Sequence, residues 1–176
     1  MTDESLEQSP ARAPFALWIY VALLVVALDQ LSKWAIVQWV PLYERIRVMP
    51  FLNITHQRNE GAAFSFLADA SGWQRWLFIA LALGISTVIV VWLWRLRAAR
   101  QFVLASGLAL VLGGAIGNVI DRIRVGYVVD FVQVLIAGWP FPSFNVADSA
   151  ITVGAVLLIV DALFFSGKQQ SAQAEG

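Results

Sequence analysis

The chain has 176 residues, 59% of them hydrophobic and 14% charged, with a formal net charge of zero and a mean hydropathy of +0.70. Ordinary globular domains carry about a quarter charged residues, so this composition belongs to the membrane class and suits one bundle of a few spanning helices. The scattered Lys and Arg form no basic face, which argues against a nucleic-acid partner, and the lack of cysteine excludes disulfides, thiolate metal sites and lipidation on this chain.

Residues 1–14 are polar, with Asp3, Glu4, Glu7 and Arg12, and read as a disordered tail. An apolar run starts at Phe15 and continues unbroken to Leu28. A signal peptide would end in small residues, but Asp29-Gln30-Leu31-Ser32-Lys33-Trp34 follows, so an uncleaved spanning helix of roughly twenty residues is expected. Asp29 and Lys33 are expected in its last turns, where their i, i+4 spacing makes a neutralising pair that finishes the helix and helps to shape a site.

Pro41 to Gly72 is a mixed loop in which Arg47–Met49 and Phe51–Thr55 have strand character, predicting a small sheet. His56, the only histidine, lies beside Gln57 and Arg58 and is expected in solvent. One histidine argues against a multi-histidine metal site, and no metal or other cofactor is expected. The segment Asn59-Glu60-Gly61-Ala62-Ala63-Phe64-Ser65-Phe66 is either a contact loop for an extended peptide or an ordinary interfacial turn.

Trp76–Trp94 predicts the second span, Arg95–Arg100 a short basic connection, and Phe102–Ile120 a glycine-rich third span. Gly113 and Gly117 have the spacing that lets helices approach closely in lipid. Asn118, Asp121 and Arg122 follow at one-turn spacing and read equally as a polar helix end or as part of a site. Asp121 to Ala147 is expected as a polar-to-interfacial loop, and Ser149–Phe165 as the fourth span, with Asp161 snorkelling near its end. A single four-helix domain is therefore expected over residues 15–166, flanked by tails at 1–14 and 167–176. Trp34, Trp39, Trp73, Trp76, Trp92, Trp94 and Trp139 fall near the predicted span ends, where indoles favour the interface.

Four spans put both termini on one side, and Arg95, Arg97 and Arg100 mark that side as cytoplasmic. Arg45, Arg47, Arg58, Arg122 and Arg124 lie in the opposite loops and oppose this rule. On the N-in, C-in reading, Asp29, Lys33, Asn59, Asp130 and Asp148 share the outer face.

Asp130 interrupts the apolar run Tyr127-Val128-Val129-Asp130-Phe131-Val132, and an ionisable group in such surroundings is a functional candidate. Asp148 stands at the start of the fourth span, where a structural capping role competes with a functional one. Gly138, Pro140 and Pro142 could return the chain so that the two carboxylates meet. Like charges a few ångströms apart cannot both ionise readily, so one carboxyl keeps its proton near neutral pH. The ionised partner can then activate water while the protonated one donates to a carbonyl oxygen. A small proton-coupled transporter, with the aspartates as relays, and a noncatalytic assembly protein are the competing readings.

Five segments resemble, in family order, the lipoprotein signal peptidases (signal peptidase II), bacterial intramembrane aspartic peptidases. They are Asp29-Gln30-Leu31-Ser32-Lys33, Asn59-Glu60-Gly61-Ala62-Ala63-Phe64, Gly114-Ala115-Ile116-Gly117-Asn118-Val119-Ile120-Asp121-Arg122, Gly126-Tyr127-Val128-Val129-Asp130-Phe131 and Phe144-Asn145-Val146-Ala147-Asp148-Ser149. The resemblance implies an all-α membrane protein of four transmembrane helices with a small extracytoplasmic β-containing loop region. By the same resemblance it would sit in the bacterial cytoplasmic (inner) membrane, with its site at the outer face. Asp130 and Asp148 would be the catalytic dyad. Asn59, Asn118, Arg122 and Asn145 would bind substrate or order the site, supported by Asp29, Lys33, Asp121 and Gly61. The implied substrate is a diacylglyceryl-modified prolipoprotein cut N-terminal to its lipidated cysteine, and the implied inhibitors are globomycin-type cyclic peptides. The signal helix and acyl chains of such a substrate can stay in membrane lipid while the scissile bond reaches a polar pocket. The Asn59 loop and Phe131–Trp139 are expected to flank the access route.

Overall fold

The computed structural model describes residues 15–61, 72–96 and 101–165. The two expected tails, most of the Asn59-to-Phe66 segment and the connection 97–100 lie outside the described residues. Chain order is α1 (Phe15–Trp39), β1 (Arg45–Met49), β2 (Leu52–Asn59), α2 (Trp73–Arg95), α3 (Phe102–Arg124), β3 (Val128–Ile136), β4 (Trp139–Pro140) and α4 (Val146–Phe164). The four helices have 25, 23, 23 and 19 residues and are long and apolar enough to cross a membrane.

The bundle is built around α3, whose apolar stretch is 61% buried against 22% for each of the other three. Lipid tails are as apolar as leucine, so helices in lipid associate through close packing rather than the hydrophobic effect. Small residues on α3 supply that packing. A Cβ at Gly113 would lie 2.7 Å from the Ala22 carbonyl oxygen of α1, and one at Gly107 2.9 Å from the Gly154 oxygen of α4. The expected close approach at Gly113 and Gly117 is thus borne out.

Residues 18, 22, 25, 29 and 33 form one helical stripe on α1, and all five are buried. The stripe passes from Trp18, Ala22 and Val25, which pack in the core, directly into Asp29 and Lys33. The helix then continues to Trp39, so the ion pair sits well inside α1 rather than finishing it. Because both side chains find buried polar partners on α3 and α4, the pair gives the helix no reason to stop. By the same periodicity Ala147, Ala150, Gly154 and Asp161 form the buried stripe of α4. Asp161 is only 6% exposed, which corrects the snorkelling expectation.

An antiparallel sheet in the order β1-β2-β3-β4 lies outside the bundle's helices. The segment expected as a loop after Asp121 is instead helix to Arg124 followed by the nine-residue strand β3. Its β-branched and aromatic residues suit a pleated, buried surface, and Val128 to Phe131 are all buried. Ala137 and Gly138 turn β3 into β4 with φ of 50° and 85°, the positive pair that a two-residue hairpin of right-handed twist requires. His56 is also corrected. It lies where the β2–β3 register shifts, is 5% exposed, and its Nδ1 is 2.9 Å from the Val40 carbonyl oxygen. A bulge turns the side chain inward, where the end of α1 offers it an acceptor.

Candidate active site

Three backbone features bring Asp130 and Asp148 together. Asp130 sits mid-strand in β3, paired with Gln57 of β2. After β4 the chain doubles back, and Phe144 bridges to Val132 through N–H···O bonds of 2.8 and 2.9 Å. The next residue, Asn145, is therefore placed against Asp130 and also caps α4. Its Oδ1 accepts from the Asp148 N–H at 2.9 Å, while its own N–H donates to Asp148 Oδ2 at 3.2 Å. This capping box puts Asp148 three residues into the helix rather than at the cap itself. The one Asp148 carboxylate both closes the cap and accepts from Asn118 of α3.

Each neighbouring carboxamide has its orientation dictated by a donor on its far side. Asn145 Oδ1 is occupied by the Asp148 N–H, so its Nδ2 donates to Asp130 Oδ1 at 2.7 Å. Asn59 Oδ1 accepts from the Gly61 N–H at 2.9 Å, so its Nδ2 donates to Asp130 Oδ2 at 3.0 Å. Asn118 Oδ1 accepts from the Lys33 ammonium at 3.0 Å, so its Nδ2 donates to Asp148 Oδ1 at 2.8 Å. An ammonium and a backbone N–H can only donate, which leaves each amide one choice. The two carboxylates thus face fixed donors and are bridged by the single residue Asn145.

Burial, reinforced by the nearby Asp148 charge, pushes the Asp130 carboxyl up to about 6, while the Asn59 and Asn145 hydrogen bonds and the Lys33 charge pull the other way. Arg122 lies within electrostatic reach of Asp148, Asp130 and Asp121. Its Nη1 donates to the Asn118 carbonyl oxygen at 3.3 Å, and its guanidinium stacks 5.2 Å from the Phe78 ring centre.

Beneath this pair, Lys33 Nζ is 2.8 Å from both Asp29 Oδ2 and Asp121 Oδ2. Two buried carboxylates on one ammonium leave negative charge to be compensated by N–H donors. Asp29 accepts from the Ala147 N–H at 2.9 Å, and Asp121 from Gln30 Nε2 at 2.9 Å and the Val129 N–H at 3.2 Å. The expected Asp29–Lys33 pair is therefore real, but its work is to tie α1, α3, β3 and the start of α4 together. A Cβ at Gly117 would lie 2.7 Å from Asp29 Oδ2, so only glycine lets α3 approach this carboxylate.

The structure brings together every residue singled out for the site: Asp130, Asp148, Asn59, Asn118, Arg122, Asn145, Asp29, Lys33, Asp121 and Gly61. Sequence reasoning gave no site role to Gln30, although its place beside Asp29 was a usable signal. Phe78 was also missed. It packs where a Gly61 Cβ would lie, 2.5 Å away, and beneath Arg122. A phenylalanine within an apolar span carries no signal of its own. A cavity of about 510 Å³ lined by Phe141, Pro142, Phe144, Thr152 and Val153 opens beside Asp148. Among the described residues no cluster of His, Cys, Asp and Glu is placed to hold a metal ion.

Four apolar helices carrying a carboxylate pair beside a small sheet define a polytopic membrane protein with two hydrogen-bonded aspartates at one end of its bundle. Residues 21–164 match the signal peptidase (SPase) II family, and the chain belongs to that family of proteases. It is 52% identical over 163 residues to the lipoprotein signal peptidase of Shewanella baltica (strain OS155), covering 90% of this chain and 92% of that one. The Yersinia enterocolitica lipoprotein signal peptidase is 45% identical over 159 residues, covering 90% and 93%. A bacterial membrane enzyme solved by the in meso method at 1.9 Å shares the fold with a TM-score of 0.76 and 32% identity, covering 88% of this chain and 97% of that one. Another, solved at 2.3 Å, gives 0.75 and 34%, covering 86% and 90%. The expected family and four-helix membrane fold with a small sheet are borne out.

Proposed function

We propose that this chain is an aspartic endopeptidase that removes signal peptides from diacylglyceryl-modified prolipoproteins, cutting N-terminal to the lipidated cysteine. The observation that carries this reading is the carboxylate pair bridged by Asn145, with Asp130 raised to about 6. A carboxyl whose burial strengthens its hold on a proton can serve as the acid beside a second carboxylate that serves as the base. Asp130 is the acid and Asp148 the base.

In this mechanism Asp148 takes a proton from water as the water oxygen attacks the peptide carbonyl carbon. Asp130 gives its proton to the carbonyl oxygen, producing a neutral gem-diol. Collapse returns a hydroxyl proton to Asp130, breaks the C–N bond, and sends the Asp148 proton to the leaving cysteine nitrogen. Asn59, Asn118 and Asn145 hold the carboxylates, and Arg122 orders the substrate backbone. Asp29, Lys33, Asp121 and Gly61 support them. The apolar cavity beside Asp148 suits an aliphatic part of the substrate. The cleft opens at the outer face of the bacterial inner membrane, with both termini cytoplasmic, so the signal helix and acyl chains never leave lipid. A globomycin-type cyclic peptide competes by presenting a substrate-like backbone that is not cut.

The test is cleavage of a diacylglyceryl-modified prolipoprotein peptide by purified wild type, Asp130→Asn and Asp148→Asn, each shown to be folded. Cleavage before the modified cysteine is expected only for wild type, with each variant down about a thousandfold or more. Retained cleavage by either folded variant overturns the dyad. No cleavage by folded wild type in lipid overturns the peptidase reading and turns the question to proton flux.

A further inference from the structure

A second cavity adjoins the Lys33 cluster. It encloses about 200 Å³ and is lined by Gln30, Lys33, Trp34, Gln38, Asp121 and Arg124, with valine walls. Several water volumes of about 30 Å³ each fit this space, so it is large enough for a phosphate and its first carbons. The proposed cleavage makes no use of it.

Lys33 in its lining is shared between Asp121 and Asp29, so Arg124 is the one cation of the lining that has no carboxylate partner among the described residues. Asp121 is already satisfied by Lys33, Gln30 and the Val129 N–H. The exposed Arg124 guanidinium and Gln38 carboxamide make no hydrogen bond or ion pair with any described residue. A guanidinium presents five donors in a fork that matches phosphate oxygens, so an unpaired one facing a cavity is an anion-binding group.

The depth of the cavity identifies the anion. Arg124 is the last residue of α3, and the cavity wall on α1 is formed near the helix end. There Trp34 and Trp39 pack edge to face with ring centres 5.8 Å apart, both exposed. Indoles at a span end lie at headgroup level, where phospholipid phosphates are concentrated.

We propose that this cavity binds the phosphodiester headgroup of an anionic phospholipid, held by Arg124 with Gln38 and the Trp34 indole beside it. The bound lipid braces α1 against α3 at the ion-paired cluster that supports Asn118. This site does not rest on the peptidase reading, because occupancy can be read without turnover.

The test is native mass spectrometry of the full chain exchanged into mixed phosphatidylglycerol and phosphatidylcholine nanodiscs, counting retained lipid. Wild type is expected to retain phosphatidylglycerol preferentially. Arg124→Gln is expected to weaken that retention about tenfold, the size of one charge-assisted contact. Arg124→Lys should fall between them, and Arg45→Gln, on exposed β1, should match wild type. Thermal melts establish that each variant is folded. Equal retention by Arg124→Gln and wild type overturns the site, and an equal loss in Arg45→Gln reduces it to diffuse surface charge. Displacement of the lipid by excess inorganic phosphate would make it a free-phosphate site and overturn the lipid assignment.

Discussion

Asp130 is expected to couple pH to stability and, under the proposed mechanism, to activity. Its proton is held more tightly in the folded chain, at about 6 against 3.8 for the free group. The stability gained by protonation is therefore fully present below about 3.8 and lost as pH rises through 6. Two pKa units correspond to about 3 kcal/mol at ~1.4 kcal/mol each. Wild type should lose more thermal stability between pH 4 and 7 than Asp130→Asn in the same detergent; parallel curves would show that Asp130 is not the group responsible. The proposed acid is also lost over this range, so kcat/KM should fall about tenfold per pH unit above pH 6, as free-enzyme profiles report free-enzyme ionisation. A profile flat from pH 5 to 8 would count against Asp130 as the acid. Asn145→Ala removes both the Asp130 donor and the α4 cap. It should lower kcat by about a hundredfold, near the low end for a group that positions acid–base chemistry, and destabilise by about 1 kcal/mol. A variant that moves only KM would instead make Asn145 a substrate contact.

At the scale of elements, the site depends on how β2, α2 and α3 meet. Gly61 has φ of +91°, and an added Cβ would meet Phe78 of α2. Gly61→Ala should displace the N–H that orients Asn59 and reduce kcat, with partial recovery when Phe78→Leu makes room. Full activity in Gly61→Ala would show that the Asn59 contact is dispensable. Lys33→Met leaves Asp29 and Asp121 without their shared cation, and breaking a buried pair in this way costs about 3–5 kcal/mol. Thermal unfolding of that variant near wild-type temperature would mean the carboxylates had taken up protons instead. On β4, Trp139 is 79% exposed beside the hairpin turn. Trp139→Ala should raise KM more than it lowers kcat, because an exposed ring at a strand tip can hold substrate without touching the reacting atoms. A large fall in kcat at constant KM would oppose that role.

For the whole molecule, α3 is the post and the other helices lean on it, so packing of small residues decides the geometry of the pocket. The proposed orientation is open to direct measurement because the chain has no cysteine. A single Val48→Cys on exposed β1 should react with a membrane-impermeant maleimide from outside intact spheroplasts. Arg97→Cys should react only after permeabilisation. The reverse pattern would invert the topology and move the proposed cleft to the other face.

The number and type of spans were legible in the sequence because hydropathy and helical length are local properties, and so was the Asp29–Lys33 spacing. Asp130 could be singled out for the same reason: a carboxylate amid Val128, Val129 and Phe131 is anomalous without any partner being known. The stripes that bury Asp29 and Asp161 were also present, but reading them required knowing which face of each helix meets α3. Only the tertiary structure made Lys33 the shared cation of Asp29 and Asp121, turned His56 inward, and converted an expected loop into β3. Only it made Asn145 at once the cap of α4 and the bridge between the aspartates. These features are set by contacts across the chain, such as the Ala147 N–H on Asp29, 118 residues apart. Sequence periodicity specifies which side of an element is buried; the bond partners of a buried polar group depend on which other elements pack there.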